Sequence, residues 1–116
     1  MQKYDFLISV IIPFRNARSW LPMCMDSLIS QTLDPTSFEV LFIDNNSTDG
    51  GSVLIAANPR FTLLSESTPG SYAARNTGVG YAKGGIPAFT DPDCAAAPDW
   101  LYRILTALGN LWATGA

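Results

Sequence analysis

Phe6-Leu7-Ile8-Ser9-Val10-Ile11-Ile12 leads directly into Pro13-Phe14-Arg15-Asn16, an apolar run broken only by Ser9 and stopped by a proline and a polar pair. Seven residues suit a strand and fall far short of the roughly 20 needed to cross a bilayer. The run is continuously apolar rather than alternating, which predicts a parallel strand covered on both faces. Shorter runs of the same kind, Val40 to Ile43, Phe61 to Leu64 and Ile86 to Phe89, recur between segments that read as helices. The order is therefore βαβαβαβ, and the fold class expected is α/β: half of a doubly wound, mainly parallel, Rossmann-like sheet.

The helical segments carry their own signals. Trp20, Leu21, Cys24, Met25, Leu28 and Ile29 recur at spacings of three and four, giving one helix an apolar stripe, with Asn16 or Ser19 as candidate caps. Ala74, Gly78 and Ala82 place small residues along one side of a helix from about Ser71 to Ala82, which can then lie close to the sheet. A last helix is expected from Pro98-Asp99-Trp100, with Pro in its first turn. Pro87 cannot donate to a ladder, so the fourth run belongs at a strand start or a sheet edge.

Composition narrows the functions. The 116 residues, 47% hydrophobic, allow one modest core and one domain. A net charge of −3 without a basic cluster argues against a nucleic-acid partner, whose phosphates demand Lys and Arg. The opening Met1-Gln2-Lys3-Tyr4-Asp5 lacks a secretory signal, and no membrane segment is present, so the cytosol is the expected location. Cys24 and Cys94 are distant in sequence and there is no His, which leaves reduced, structural thiols as the reading and removes a zinc site, a Ser-His pair or a Cys-His pair. Chemistry must then fall to carboxylates, a metal, or both.

In open α/β sheets, ligands bind beyond the carboxyl ends of the strands, where strand order reverses. The polar clusters fall there: Pro13 to Asn16 after the first strand, Asp44-Asn45-Asn46-Ser47-Thr48-Asp49-Gly50 after the second, and Asp91-Pro92-Asp93 after the fourth. In extended chain the carboxylates of Asp91 and Asp93 would project to one side, and Pro92 favours that conformation for Asp91. Hard divalent cations use such oxygen pairs to bridge a protein to phosphates. Against this, eight Asp in the chain supply roughly half such a match by chance, and Asp-Pro-Asp is equally a turn. Phe14 suits stacking on a base or packing in the core, and Asp44 with its two Asn suits a ligand edge or an Asx turn. Arg75 offers a planar fork for phosphate or is a surface residue. Dinucleotide and P-loop sites are excluded, because the first strand is not followed by Gly-x-Gly-x-x-Gly and no Gly-Lys-Ser/Thr loop exists.

Read jointly, Ser9 to Asn16, Asp44 to Asp49, Arg75-Asn76-Thr77-Gly78 and Thr90-Asp91-Pro92-Asp93 resemble the successive motifs of family 2 glycosyltransferases, in order and in separation, from about Ile8 to Leu105. The resemblance implies a GT-A fold and metal-assisted, inverting transfer of a sugar from a nucleoside diphosphate to an acceptor hydroxyl, with Mn or Mg as the divalent cation. It places Pro13 and Phe14 in the wall of the nucleobase pocket and Asp44 with Asn45 at its polar edge. Asn16 and Asn76 fall within the binding motifs, Arg75 approaches the diphosphate, and Ser71 to Gly78 shape the floor. Asp93 becomes the main metal ligand, with Asp91 nearer the ribose or supporting the metal.

Two departures stand out: many members carry a second Asp where this chain has Asn45, and Pro87 interrupts a strand that is usually apolar and internal. The family's catalytic base lies well beyond the acidic pair. Residues 1–116 thus read as a nucleotide-sugar-binding domain truncated before the acceptor-binding part, with the base expected beyond Ala116, the acceptor unidentified and the fragment alone inactive. A longer parent would act in the cytosol or at the cytoplasmic face of a membrane. The free edge of the last strand predicts self-association. Two other readings compete: a noncatalytic nucleotide-binding or interaction domain of the same fold, and a sugar nucleotidyltransferase, which would want a Gly-rich basic loop that Phe14-Arg15-Asn16 does not supply.

Overall fold

Four parallel strands in the order β3-β2-β1-β4 carry the chain, alternating with helices as the sequence pattern requires. The computed structural model describes residues 5–113. Its elements are β1 (Phe6–Phe14), α1 (Leu21–Ile29), β2 (Phe38–Asp44), α2 (Ser52–Ala56), β3 (Phe61–Ser65), α3 (Ser71–Tyr81), β4 (Gly84–Phe89) and α4 (Trp100–Ala113), with a short 3-10 turn at Pro35–Ser37.

Side chains of β1 divide between two apolar layers because neighbours along a strand point to opposite faces. Ile8, Val10, Ile12 and Phe14 join Val40 and Phe42 against α1, α2 and the start of α4, whereas Ile11 joins Leu41 and Ile43 beneath Ala74 of α3. A right-handed return from β3 to β4 must carry α3 across the second face, and that is where it lies. Its small-residue side is required by the approach: a Cβ on Gly78 would stand 2.6 Å from Cγ2 of Ile11 and 2.9 Å from Cδ1 of Ile43.

Ser9, the single polar break in the opening run, is fully buried and satisfied. Its hydroxyl donates to Glu39 at 2.6 Å and accepts from the Gly84 N–H at 2.8 Å, fastening β1 to the starts of both its neighbours, β2 and β4. Pro87 lies opposite Ser9 in β4, the outermost strand among the described residues. The Thr90 N–H donates inward to the Ile11 carbonyl, so by alternation residues 86 and 88 face β1 and residues 85, 87 and 89 face outward. The missing donor of Pro87 thus falls on the free side of an edge strand, where a ladder does not need it.

The expected caps of α1 are corrected. The residue before its first turn is Trp20, which makes no side-chain cap, and Pro22 opens the helix. Trp20 and Ile29, counted in its apolar stripe, are exposed; Leu21, Cys24, Met25 and Leu28 form the buried face. Asn16 is engaged elsewhere, as described below. The last helix starts at Trp100, one residue after Asp99.

Candidate nucleotide-binding site at the carboxyl end of the sheet

The strand order reverses between β1 and β4, and the loops that leave their carboxyl ends meet those of β2 and β3 there. A cavity of about 230 Å³ opens at this point, lined by Pro13, Phe14, Arg15, Asn45, Gly70, Ser71 and Pro92. Four separate stretches of sequence thus contribute to one concavity.

Loop positions are fixed by side chain to backbone bonds. Asn16 takes a left-handed conformation (φ 49°), donates its N–H to Ser47 Oγ at 2.9 Å and accepts the Thr48 N–H on its amide oxygen at 2.7 Å. Two residues on, the Arg18 N–H donates to Asp49 at 3.0 Å, and the Gly51 N–H reaches the other oxygen of that carboxylate at 3.0 Å. These bonds, that from Arg18 first, hold the Asp49 carboxyl below its ordinary range. Asp44 accepts from the Ser47 N–H at 2.9 Å through one of its oxygens, a local bond that tightens the loop after β2.

Asn45 is buried, 4% exposed, and its amide is spent within the protein. Its nitrogen donates to the carbonyls of Glu66 at 2.9 Å and Thr68 at 2.8 Å, and its oxygen accepts from the Gly70 N–H at 2.8 Å. That clasp shapes the loop into α3, where Gly70 adopts φ 115°, a region that only glycine enters freely. Ser71, the first residue of α3, borders the cavity, so the positive end of an 11-residue helix is presented to it. Glu66 braces the same loop, accepting from the Thr77 hydroxyl and from the Thr68 N–H at 2.8 Å, bonds that hold its carboxyl below the ordinary value.

Phe14 is 3% exposed and meets Phe42 edge-on at 6.2 Å between centroids. It walls the cavity, but the core claims the ring and leaves no open face for stacking. Pro13 is likewise buried beside it.

The acidic pair flanks Pro92, the one residue of its turn that lines the cavity. The Cys94 N–H donates to the Asp91 carbonyl at 3.1 Å, so Asp91-Pro92-Asp93-Cys94 is a turn with Pro at its second position. The turn, rather than extended chain, brings the carboxylates together: donor atoms of Asp91, Asp93 and Cys94 all lie within 4.8 Å of one another. The turn reading of Asp-Pro-Asp is the one observed, and the expectation of extended chain at Asp91 is corrected. Arg75, one turn into α3, reaches Asp91 at 3.6 Å with both side chains partly in solvent, a contact worth little as an ion pair but one that places a guanidinium beside the carboxylates. Asn76 lies exposed on α3, and neither it nor Asn16 and Asp44 lines the cavity.

Two supports were not visible in the sequence. Cys24 is buried under the turn, and burial, reinforced by the nearby Cys94, Asp93 and Asp91, pushes its thiol up to about 12. It is an inert structural thiol at neutral pH. Gln31, 8% exposed, donates to the carbonyls of Ser27 and Ala97 and accepts from the Leu101 N–H at 3.0 Å. It ties the end of α1 to the start of α4 and so fixes the far side of the acidic turn. Neither contact has a local signal, because each joins residues about 65 to 70 apart.

Comparison with known proteins matches this arrangement. The profile of the family described as Glycosyl transferase family 2 covers residues 9–116. Glycosyltransferase AglE of Haloferax volcanii is 39% identical over 108 residues, spanning 89% of this chain and 36% of that protein. Among solved structures, S. aureus TarS 1-349 in complex with UDP superposes with a TM-score of 0.82 at 24% identity over 90% of this chain and 32% of that one, which supports the fold. The mannosyltransferase PcManGT of Pyrobaculum calidifontis, in complex with GDP-Man and Mn2+, superposes with a TM-score of 0.73 at 26% identity over 86% of this chain and 34% of that one. The chain spans about a third of the length of these relatives. No helix of the described residues is long and apolar enough to cross a membrane.

Proposed function

The chain belongs to glycosyl transferase family 2, and from that premise we propose that it is the donor-binding part of a glycosyltransferase that moves a sugar from a nucleoside diphosphate to an acceptor hydroxyl with inversion. The observation that carries this reading is the convergence of Pro13–Arg15, Asn45, Gly70–Ser71 and Pro92 on one cavity, with Asp91 and Asp93 flanking Pro92 and Arg75 in contact with Asp91. The nucleoside enters the cavity and the diphosphate spans from the start of α3 to the acidic turn.

Two exposed carboxylates beside a diphosphate would repel it, since unit charges about 4 Å apart interact by about 4 kcal/mol at an effective dielectric of about 20. A cation reverses the sign. The donor set fits a hard divalent ion such as Mn or Mg, because Asp91 and Asp93 present oxygens close enough to share one ion, with the softer Cys94 sulfur beside them. Asp93 is the main ligand in this reading and Asp91 supports it. When bound, the ion supplies Lewis-acid stabilisation of the departing diphosphate. Arg75 adds a second positive group on that side, and the N–H groups of the first turn of α3 add a third.

The acceptor-binding part and the base that deprotonates the acceptor lie outside these residues, in keeping with a chain about a third as long as its relatives. The protein then works in the cytosol or at the cytoplasmic face of a membrane. Self-association belongs to the outer edge of β4. Light scattering at rising concentration tests that last point, and a clean monomer counts against it.

The donor reading is tested by titrating UDP-, dTDP- and GDP-sugars with and without Mn2+ on the full-length protein. Metal-dependent binding of at least one is expected, and Asp93→Ala should abolish both that dependence and turnover. Unchanged turnover in the variant would leave a noncatalytic binding domain instead.

A further inference from the structure

The acidic turn ends on a third donor, and that donor is sulfur. Cys94 follows Asp93 directly, is exposed, and turns back on the same carboxylate, with its Sγ 3.7 Å from Oδ1 of Asp93. The Cys94 N–H is bonded to the Asp91 carbonyl, which fixes the backbone from which the side chain projects. One ligand atom from each of Asp91, Asp93 and Cys94 lies within 4.8 Å of the other two. That spacing suits a shared ion: with metal–sulfur bonds of about 2.3 Å and metal–oxygen bonds of about 2.1 Å, neighbouring sulfur and oxygen ligands stand about 3.1–3.6 Å apart.

The members of the turn are not equal as ligands. Asp91 already faces the Arg75 guanidinium at 3.6 Å, a positive neighbour that weakens the pull of its carboxylate on a cation. Asp93 has no ion-pair partner among the described residues, and the Cys94 thiol stands beside it. Cys24, the other cysteine of the sequence, is fully buried beneath the turn, so its sulfur is closed off from an ion in solvent. The sulfur within reach of an ion held by Asp93 is therefore that of Cys94.

From this geometry we infer that Cys94 is a ligand of the divalent ion, pairing its sulfur with the Asp93 carboxylate and giving the site a preference for thiophilic ions such as zinc, cobalt or cadmium. The inference rests on the metal-assisted donor reading and deepens it. Thiolate is a soft ligand, poorly matched to magnesium and well matched to zinc. Coordination displaces the thiol proton to solvent. Two carboxylates alone would already follow the general rise in affinity from manganese to zinc, so the diagnostic quantity is the share of that affinity that belongs to the sulfur.

Binding of Mg2+, Mn2+, Co2+, Zn2+ and Cd2+ to the full-length protein, with and without UDP or GDP, separates the two cases. It is compared between the parent and Cys94→Ser, which keeps the size and removes the soft donor. The variant should lose at least about tenfold in affinity for Zn2+, Co2+ and Cd2+, the lower end of what even a group supporting a metal ligand contributes, while Mg2+ affinity stays unchanged. Two readouts are independent of turnover. Co2+ should give the parent an intense near-ultraviolet sulfur-to-cobalt band that the variant lacks. Zn2+ or Cd2+ should shield Cys94 from iodoacetamide, measured at that residue by peptide mass spectrometry, and Asp93→Ala should remove the shielding. A parent that binds Zn2+ and Mn2+ without the band and with Cys94 still alkylated would overturn the inference and leave the metal reading standing. Equal losses for Mg2+ and Zn2+ in Cys94→Ser would assign the residue to the shape of the turn and overturn the inference as well. Failure of the parent to bind any of the five ions would bring down the metal reading and this inference with it.

Discussion

At the residue scale, the most consequential position is Asn45, where many members of the family carry an acid. Its amide gives two N–H groups to two carbonyls, a task that a carboxylate cannot perform and would oppose by facing those oxygens with charge. Asn45→Asp should therefore cost about 1–3 kcal/mol, the scale of leaving buried polar groups unsatisfied. Urea unfolding measures it, and a variant as stable as the parent would remove Asn45 from the loop's support. Glu66 gives a second handle on the same loop. Its carboxyl lies below the ordinary 4.5 because of the Thr77 hydroxyl first and the Thr68 N–H second. A depressed acid favours the folded state above its unfolded value and loses that contribution as pH falls through the folded one. Thr77→Val should raise the acid-unfolding midpoint followed by circular dichroism, and an unmoved midpoint would show that the bond does not matter to stability. Residue chemistry of this kind was the least legible part of the sequence. The loop bonds of Asp44 and Asp49 to Ser47 and Gly51 follow from local rules, but the long-range partners of Asn16, Asn45 and Gln31 lie 21 to 70 residues away and declare nothing locally.

At the scale of elements, legibility was much better, because period and length are properties of short windows. The continuous apolar run of β1 correctly implied burial on both faces, and the spacing of Ala74 and Gly78 implied a helix lying close on the sheet. The misjudged features were ends rather than bodies: the cap of α1, and the exposure of Trp20 and Ile29, which a stripe drawn too wide had turned inward. The close approach of α3 carries its own prediction. Gly78→Ala would gain up to about 1 kcal/mol of helix propensity but must fit a methyl against two core atoms closer than 3.0 Å. Overpacking typically costs about 1–3 kcal/mol, so a net loss is expected in chemical denaturation. Adding Ile43→Val, which deletes one of the two clashing atoms, should return part of it. A stabilised Gly78→Ala would mean that α3 shifts freely on the sheet.

At the scale of the whole molecule, the sheet is asymmetric in a way that the sequence announced through one residue. Pro87 looked misplaced for an internal strand and is accommodated because its missing N–H falls on the outer side of β4. It also interrupts the row of donors that another strand would use, as prolines do on protected edges. Pro87→Thr restores that donor without disturbing the bonds to β1, and should raise the apparent mass at high concentration in light scattering. An unchanged mass would place any self-association elsewhere. The expectation of an exposed, sticky edge thus meets a structural brake that only the register made visible.

The strand order has a temporal consequence. Of the four described strands β1 is made before the others, yet one of its two neighbours, β4, is made after β2 and β3, and the acidic turn follows the end of that strand. A chain emerging from the ribosome at about 5–20 residues per second can zip β1 to β2 early, but it must hold one side of β1 open until α3 has been threaded across. Asp91 and Asp93 therefore take their places only once β4 has paired with β1. A polypeptide stalled or cleaved before residue 90 would retain Pro13, Phe14, Asn45, Gly70 and Ser71 of the cavity lining and lack Pro92 and both carboxylates of the acidic turn.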